Sequence, residues 1–229
     1  MIRDKYTSGN YLHNNPSWHA EDSPFKAESV LKILKRNKLF PGSICEVGCG
    51  AGEILRQLQI KMDKDCTFTG YEVSPQAFKL CQEKRNSKLR FKLKDILKEK
   101  GTSFDLVLVL DVVEHLEDYF TFLRKLKPKG SYKIFQIPLE INLFHLIKNS
   151  FVKFRDTVGH LHFFTEAMAF RVFEETGYEI LDFIYTDYLG FPRQPLLYRL
   201  LGVGRNLVFK FNKNLATRLG GYALLVLAR

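Results

Sequence analysis

Ile44-Cys45-Glu46-Val47-Gly48-Cys49-Gly50-Ala51-Gly52 is the stretch of this 229-residue chain whose residue types and spacing most directly allow chemistry. Glycines at alternate positions permit a tight turn and let a ligand approach the backbone, and a helix starting just after them points free N–H groups at that ligand. Glu46, placed before the glycines, repels a pyrophosphate and welcomes a cation. The third glycine also comes one place too early for the G-x-G-x-x-G of a dinucleotide site, with Glu53 standing where that glycine would be. Glu72 ends the next apolar run, about 20 residues on, a spacing that suits a carboxylate gripping ribose hydroxyls. Three histidines, His115, His160 and His162, are candidate proton acceptors, because imidazole titrates near neutral pH. His160 and His162 flank Leu161 and would share a face on a strand. Cys49, inside the glycine loop, reads as a small filler and not as a nucleophile.

The elements that must position these residues are legible from periodicity. Ser23-Pro24 opens a helix running to about Asn37, with Ser23 as N-cap, Pro24 at the first helical position and Phe25, Val30, Ile33 and Leu34 on its apolar face. Ser43 to Val47 is a strand, and a helix runs from the glycine turn to about Lys61. Cys66 to Glu72 is the next strand, and Ser74-Pro75 starts a helix ending near Asn86. Leu89 to Leu93 is a third strand. Phe104 to Leu110 is a continuous apolar run, as expected of a strand covered on both faces. A helix is predicted from about Glu114 to Leu126, stopped by Pro128 and Gly130, then a strand from Tyr132 to Ile137. After Pro138 the rhythm breaks. Residues 139–164 read as an insertion with a basic amphipathic helix from Ile141 to Phe154. Thr165 caps a helix to Thr176, and strands follow at Tyr178 to Ile184 and Tyr222 to Ala228. Alternation of this kind predicts an α/β fold with a doubly wound sheet and helices on both faces. The expected organisation is a single domain over 1–229, with an N-terminal arm (1–22), the insertion and a basic lid or surface segment (185–221).

Composition narrows the function. Apolar residues at 45%, aromatics at 14% and charged residues at 26% exclude a disordered tail, a collagen-like chain and a coiled coil. Net charge is +10. After Asp187 there is no acid, while Arg193, Arg199, Arg205, Lys210, Lys213, Arg218 and Arg229 remain. Around these, and around Lys148 and Lys153, stand leucines and aromatics such as Phe144, Leu146, Ile147, Phe151 and Phe154. Such segments lie on membrane surfaces, gate lipophilic or anionic acceptors, or form a packed lid with a solvated basic face. Nucleic acid is not expected, since no RNA-binding module is present. Cys45, Cys49, Cys66 and Cys81 form no CxxC and have no histidine pair at zinc-finger spacing, so they read as reduced thiols, and no metal site is expected. With no secretory signal and no long apolar run, the expected location is the cytoplasm, with peripheral membrane contact through the basic segments.

E-V-G-C-G-A-G, from Glu46 to Gly52, resembles motif I of the class I S-adenosylmethionine-dependent methyltransferases. Other family markers follow in order: Glu72 in G-Y-E-V-S, Asp95 in L-K-D-I, F-D-L-V-L-V-L-D-V-V-E-H-L from Phe104, and G-H-L-H-F-F-T from Gly159, which is similar to the H-x-x-x-F-T element of small-molecule members. The resemblance covers most of the chain and implies a seven-stranded Rossmann-like sheet with an antiparallel last strand. It implies S-adenosyl-L-methionine (SAM) as methyl donor and S-adenosyl-L-homocysteine (SAH) as product. The loop residues Glu46, Gly48, Cys49, Gly50 and Gly52 would hold the donor, whose methionyl ammonium suits Glu46. Glu72 and Val73 would hold its ribose, and Asp95 and Ile96 its adenine. Asp111 and Val112 would lie beside it, with His115 just behind, and Trp18 of the arm would cover it. Asp95 serves equally as a helix N-cap and Asp111 as a helix-start acid. Gln136-Ile137-Pro138-Leu139 departs from the Asn-Pro-Pro-Tyr signature of target-specific nucleic-acid enzymes. The expectation is therefore methyl transfer to a small-molecule acceptor, lipophilic or anionic, with O-methylation favoured because the candidate bases are histidines, by a monomer or homodimer. Protein or RNA methylation, and a non-catalytic binding module, are the alternatives.

Overall fold

A computed structural model describes residues 15–187 and 196–229, with side chains of the last stretch from Gly204 onward. Tyr6 and Tyr11 of the arm, Arg193, and the side chain of Arg199 lie outside the described residues. The strands are β1 (Ser43–Val47), β2 (Thr67–Glu72), β3 (Leu89–Leu93), β4 (Phe104–Leu110), β5 (Gly130–Pro138), β6 (Ile180–Asp187) and β7 (Tyr222–Ala228). They form one seven-stranded sheet in the order β3-β2-β1-β4-β5-β7-β6. The first five pair in parallel, and β7 inserts antiparallel between β5 and β6.

Both faces of this sheet are covered, and β4 shows how. Leu106, Leu108 and Leu110 point into a core with helices α1 (Ser23–Arg36), α2 (Glu53–Lys61) and α3 (Pro75–Gln82). Val107 and Val109 point the other way, into a core with α4 (Tyr119–Leu126), α7 (Glu166–Glu175) and α9 (Lys213–Leu219). An unbroken apolar run is what two buried faces require.

Helix boundaries depart from the sequence reading at identifiable places. α1 begins at Ser23 with Asp22 in the N-cap position, because a 3-10 turn at Ala20–Asp22 runs directly into it. The helix predicted from Glu114 is two pieces: a 3-10 turn at Val113–His115, then α4 starting only at Tyr119, capped by the Asp118 carboxylate accepting from Thr121 N–H at 3.0 Å. The insertion helix is also two, α5 (Leu143–Ile147) and α6 (Ser150–Thr157), broken at Asn149, whose φ of 47° leaves the right-handed helical region. α3 stops at Gln82, short of Asn86, and β6 runs Ile180–Asp187, displaced towards the C-terminus because Tyr178 turns inward to donate to Leu123 C=O at 2.8 Å.

The long basic connection carries α8 (Leu196–Phe211) and α9. Its charge is not all surface. Arg205 is buried: it donates to Gly220 C=O at 2.8 Å, pairs with Asp187 and lies over the Tyr222 ring at 4.1 Å. It fastens α8 to the end of β6 and the start of β7, whereas Lys210, Lys213 and Arg218 are exposed. No helix among the described residues is long and apolar enough to cross a membrane. Replacing Arg205 by Ala should lower the thermal midpoint by about 4–8 °C, from roughly 2 kcal/mol lost with the hydrogen bonds of its charged guanidinium, at ~2–4 °C per kcal/mol. A melt that leaves the midpoint unchanged would return Arg205 to the solvated charges.

Candidate functional site

In this strand order the chain leaves β1 to one side for β2 and returns on the other for β4, so a crevice opens between the loops that follow β1 and β4. A cavity of about 510 Å³ occupies that place. By strand order its lining runs from the glycine loop after β1, past Asp111 and Glu114 after β4, to Glu140 after β5, and it includes Trp18, Lys26, Glu46, Phe144, His160 and Tyr222.

The glycine loop has a backbone that side chains rarely allow. Gly50 has φ 53°, and a Cβ there would sit 2.7 Å from Cδ1 of Trp18. Trp18 and the adjacent His19 are themselves left-handed, at φ 51° and 57°, which brings the arm down over the loop. Gly52, at φ 73°, starts α2 where a Cβ would meet the Phe91 ring at 2.6 Å. Glu72 ties this loop to β2. Its carboxylate accepts from Gly50 N–H at 2.9 Å, Val73 N–H at 2.7 Å and Ser74 N–H at 2.8 Å. Burial pushes its pKa up, and those three N–H groups pull against the rise. Cys49 fills the space above Gly70, with its Sγ 2.6 Å from where a Gly70 Cβ would be, and all four cysteines are free and buried.

Glu46 is different, because its charge is hardly answered. It is 2% exposed, and its Oε2 has no hydrogen-bond partner among the described residues. Burial pushes its pKa up to about 8. Lys26 opposes that rise, and Glu72 and Cys81 add to it. A buried acid at the wall of a cavity with an unmade hydrogen bond suits a cationic ligand group.

After β4, Asp111 stands in a left-handed conformation at φ 55°, accepting from Gln136 Nε2 at 3.1 Å and paired with Lys26 at 2.7 Å. Glu114 is fully buried with neither carboxylate oxygen hydrogen-bonded among the described residues. Burial, reinforced by Asp111, pushes its pKa well above the usual carboxylate range. Its backbone C=O accepts from Leu161 N–H at 2.8 Å and His162 N–H at 3.1 Å, locking the loop after α6 against the turn after β4. The ring of His160 faces that of His115 edge-on at 4.8 Å between centroids. His160 Nδ1 lies 2.7 Å from Glu140 Oε2, and His115 Nδ1 lies 3.1 Å from Gly159 C=O.

Of the residues singled out in the sequence, Trp18, Glu46, Gly48, Cys49, Gly50, Asp111, His115 and His160 line this one cavity. Gly52, Glu72, Val73, Asp95, Ile96 and Val112 stand outside its lining, at the same edge of the sheet. Val73 is 45% exposed, Ile96 is fully buried, and Asp95 caps the 3-10 turn Ile96–Lys98 through Leu97 N–H at 2.9 Å. His162 is not brought to the cavity. Residues 159–165 are not a strand, so His160 and His162 share no face, and the His162 ring packs edge-on against Tyr119 at 4.7 Å. Sequence reasoning missed Lys26, Glu114 and Glu140. Lys26 had a signal, since it falls within the apolar stripe Ser23, Ala27, Val30, Ile33, Leu34 of α1, where a lysine needs a buried partner.

The residues present fit the methyl donor by their chemistry: a cradle of positive-φ glycines, an uncompensated acid for an ammonium, and an oriented carboxylate at the end of β2. A methyltransferase-domain family model matches residues 45–129. Among solved structures, magnesium protoporphyrin IX methyltransferase from Synechocystis PCC 6803 with bound SAH is similar at 17% identity and TM-score 0.61, over 90% of this chain and 82% of that one. N-methyltransferase NodS from Bradyrhizobium japonicum WM9, with SAH, is similar at 17% identity and TM-score 0.57, over 89% and 85%. StiE O-MT is similar at 16% identity and TM-score 0.53, over 82% and 68%. The domain match begins on the strand that delivers the glycine loop and runs through β4, so residues 45–129 match a methyltransferase domain, and the fold around it is the one these solved methyltransferases have.

Proposed function

We propose that this methyltransferase acts on a hydroxyl of a small acceptor that is lipophilic or anionic. The observation that carries the reading is the placement of His115 and the His160–Glu140 pair at the far end of the cavity that begins at the glycine loop. With Nδ1–H of His160 donating to Glu140, its Nε2 is the basic nitrogen, and Nδ1–H of His115 donating to Gly159 C=O fixes the same tautomer there. Either nitrogen suits an acceptor proton. Lys148 and Lys153 line this end and favour a negative group on the acceptor. Bound SAM supplies a methyl on a sulfonium, which the acceptor oxygen displaces in line while the C–S electron pair stays on sulfur. The chain's own work is to hold the acceptor in line and exclude water. In this reading Glu46 takes the methionyl ammonium, Glu72 and Val73 the ribose side, Asp95 and Ile96 the adenine side, Val112 the wall beside it, and Trp18 the lid.

Exposed Leu143, Leu146, Ile147 and Val152 of the insertion, and Leu207, Phe211 and Leu215 of the C-terminal helices, stand among exposed Lys148, Lys153, Lys210 and Lys213. α5 packs on α9, so the two basic segments adjoin. That mixture supports a cytoplasmic enzyme, organised as one domain, whose acceptor mouth rests on an anionic surface.

Three outcomes test these statements. Near pH 7 Glu46 is largely protonated in the free protein, since its pKa lies at about 8. An ammonium favours its carboxylate, so binding should release close to one proton, read by calorimetry in buffers of differing ionisation enthalpy. Glu46→Gln should release none, and equal release from both would remove Glu46 from the donor site. With labelled donor and a panel of hydroxylated acids and lipid-linked acceptors, His160→Ala should lower kcat by about 10²–10⁴ while SAH affinity stays unchanged. Turnover confined to amines would overturn O-methylation. Sedimentation with anionic vesicles should retain the protein at low salt and lose it at high salt; no retention at low salt discards the surface contact and leaves the enzyme reading untouched.

A further inference from the structure

We propose that Glu114, His115 and His160 form a binding site for a divalent first-row transition-metal ion. One ligand atom from each, the three together, lie within 4.8 Å of one another. Ligands at about 2.1 Å from an ion stand roughly 3–4 Å apart, so small side-chain rotations close the set. The sequence reading expected no metal because the cysteines form no CxxC and have no histidine pair at zinc-finger spacing; the loop after α6 brings His160 to Glu114 and His115.

Two further observations point to a ligand here. Glu114 is 0% exposed, and neither of its carboxylate oxygens has a hydrogen-bond partner among the described residues. A carboxylate desolvated to that degree is kept where something cationic completes it. The histidines also carry the outer partners that metal-bound imidazoles have: Nδ1 of His160 on Glu140 at 2.7 Å, and Nδ1 of His115 on the Gly159 carbonyl at 3.1 Å. Such partners orient the rings and leave Nε2 as the ligand atom. Nε2 of His115 lies 4.0 Å from Glu114 Oε1. The frame is rigid, because the Glu114 carbonyl holds Leu161 N–H and His162 N–H, so the turn bearing two ligands and the loop bearing the third cannot part independently.

Two imidazoles and one carboxylate suit Zn²⁺, Mn²⁺, Fe²⁺ or Co²⁺ better than Mg²⁺ or Ca²⁺, which prefer oxygen throughout. All three residues border the cavity, so an ion there keeps positions open towards it. Resting on the hydroxyl-acceptor reading above, its role is to bind the acceptor oxygen: the oxygen–metal bond forms as the O–H proton leaves to water, and the ion takes over the activation otherwise given to a ring nitrogen.

The test uses the full chain, stripped with a chelator and titrated with Zn²⁺ by calorimetry and with Co²⁺ by visible absorption, with SAH affinity measured in parallel. The wild type should bind one equivalent and give Co²⁺ bands without thiolate charge transfer. Glu114→Gln and His160→Ala should each weaken Zn²⁺ about 100-fold or more, and Glu140→Gln about 10–100-fold, with SAH affinity kept within about threefold. SAH affinity reports that a variant is folded and reads the donor site alone. SAH binding with no Zn²⁺ or Co²⁺ bound, or equal ion binding by wild type and variants, overturns the metal site and leaves the methyltransferase reading standing. Zn²⁺ held by Glu114 and His160 in a chain that binds no SAH would support the ion and overturn the donor site.

Discussion

Lys26 reaches from the first turns of α1 to Asp111 at 2.7 Å, and its charge is felt by Glu46 and Glu114 as well. The cavity depends on this arrangement. The sheet presents several acids to one enclosed space, and desolvation opposes ionising any of them. A lysine 12% exposed on its side chain, held by a helix that is itself fixed through Ala27, Val30, Ile33 and Leu34, supplies positive charge without occupying the space a ligand needs. The charge is only partial compensation. Asp111 takes the direct contact, which leaves Glu46 and Glu114 elevated on either side of it. The cavity thus has two buried acids, Glu46 and Glu114, whose charge Lys26 answers only in part.

The glycine loop and its acid answer to another constraint, the geometry of the β1–β2 pair. Val47 is in register with Tyr71, and Gly48 and Cys49 N–H both donate to Tyr71 C=O at 2.8 and 3.1 Å. The turn is therefore pinned to β2 by backbone before Glu72 adds its carboxylate to Gly50 N–H. Cys49 on Gly70 and Phe91 under Gly52 then close the space from below. This packing explains why the loop tolerates only small residues at alternate positions, independent of any ligand.

The sheet and the glycine loop were legible because both rest on local chemistry. Alternating strands and helices bounded by Gly, Pro and Ser, and a continuous apolar run at β4, are short-range signals. The antiparallel last strand came from family resemblance and not from periodicity. What failed were features decided by tertiary contact. The helix expected from Glu114 stops at His115 because the Glu114 carbonyl is taken by the distant loop at Leu161 and His162. His160 and His162 separate because their segment is irregular, a fact no two-residue spacing reveals. Glu140 follows Pro138 and Leu139 with nothing in its neighbours to mark it, and only the fold sets it against His160.

Charge shows the same limit of linear reading. Arg205 stands among the basic residues that follow the last acid, indistinguishable in sequence from Lys210 or Arg218. Buried against Tyr222 and bonded to Gly220 and Asp187, it does structural work at the hinge of β6, α8 and β7. Removing it from the surface count concentrates the exposed positive charge on α9, the end of α8 and the insertion helices, where apolar residues are exposed beside it. These are the elements nearest the end of the cavity bounded by Phe144, Lys148, Lys153 and Tyr222. In the proposed reading the positive rim and the interior lie along one path: the rim favours an acceptor of negative or lipophilic character, and the histidines meet its hydroxyl.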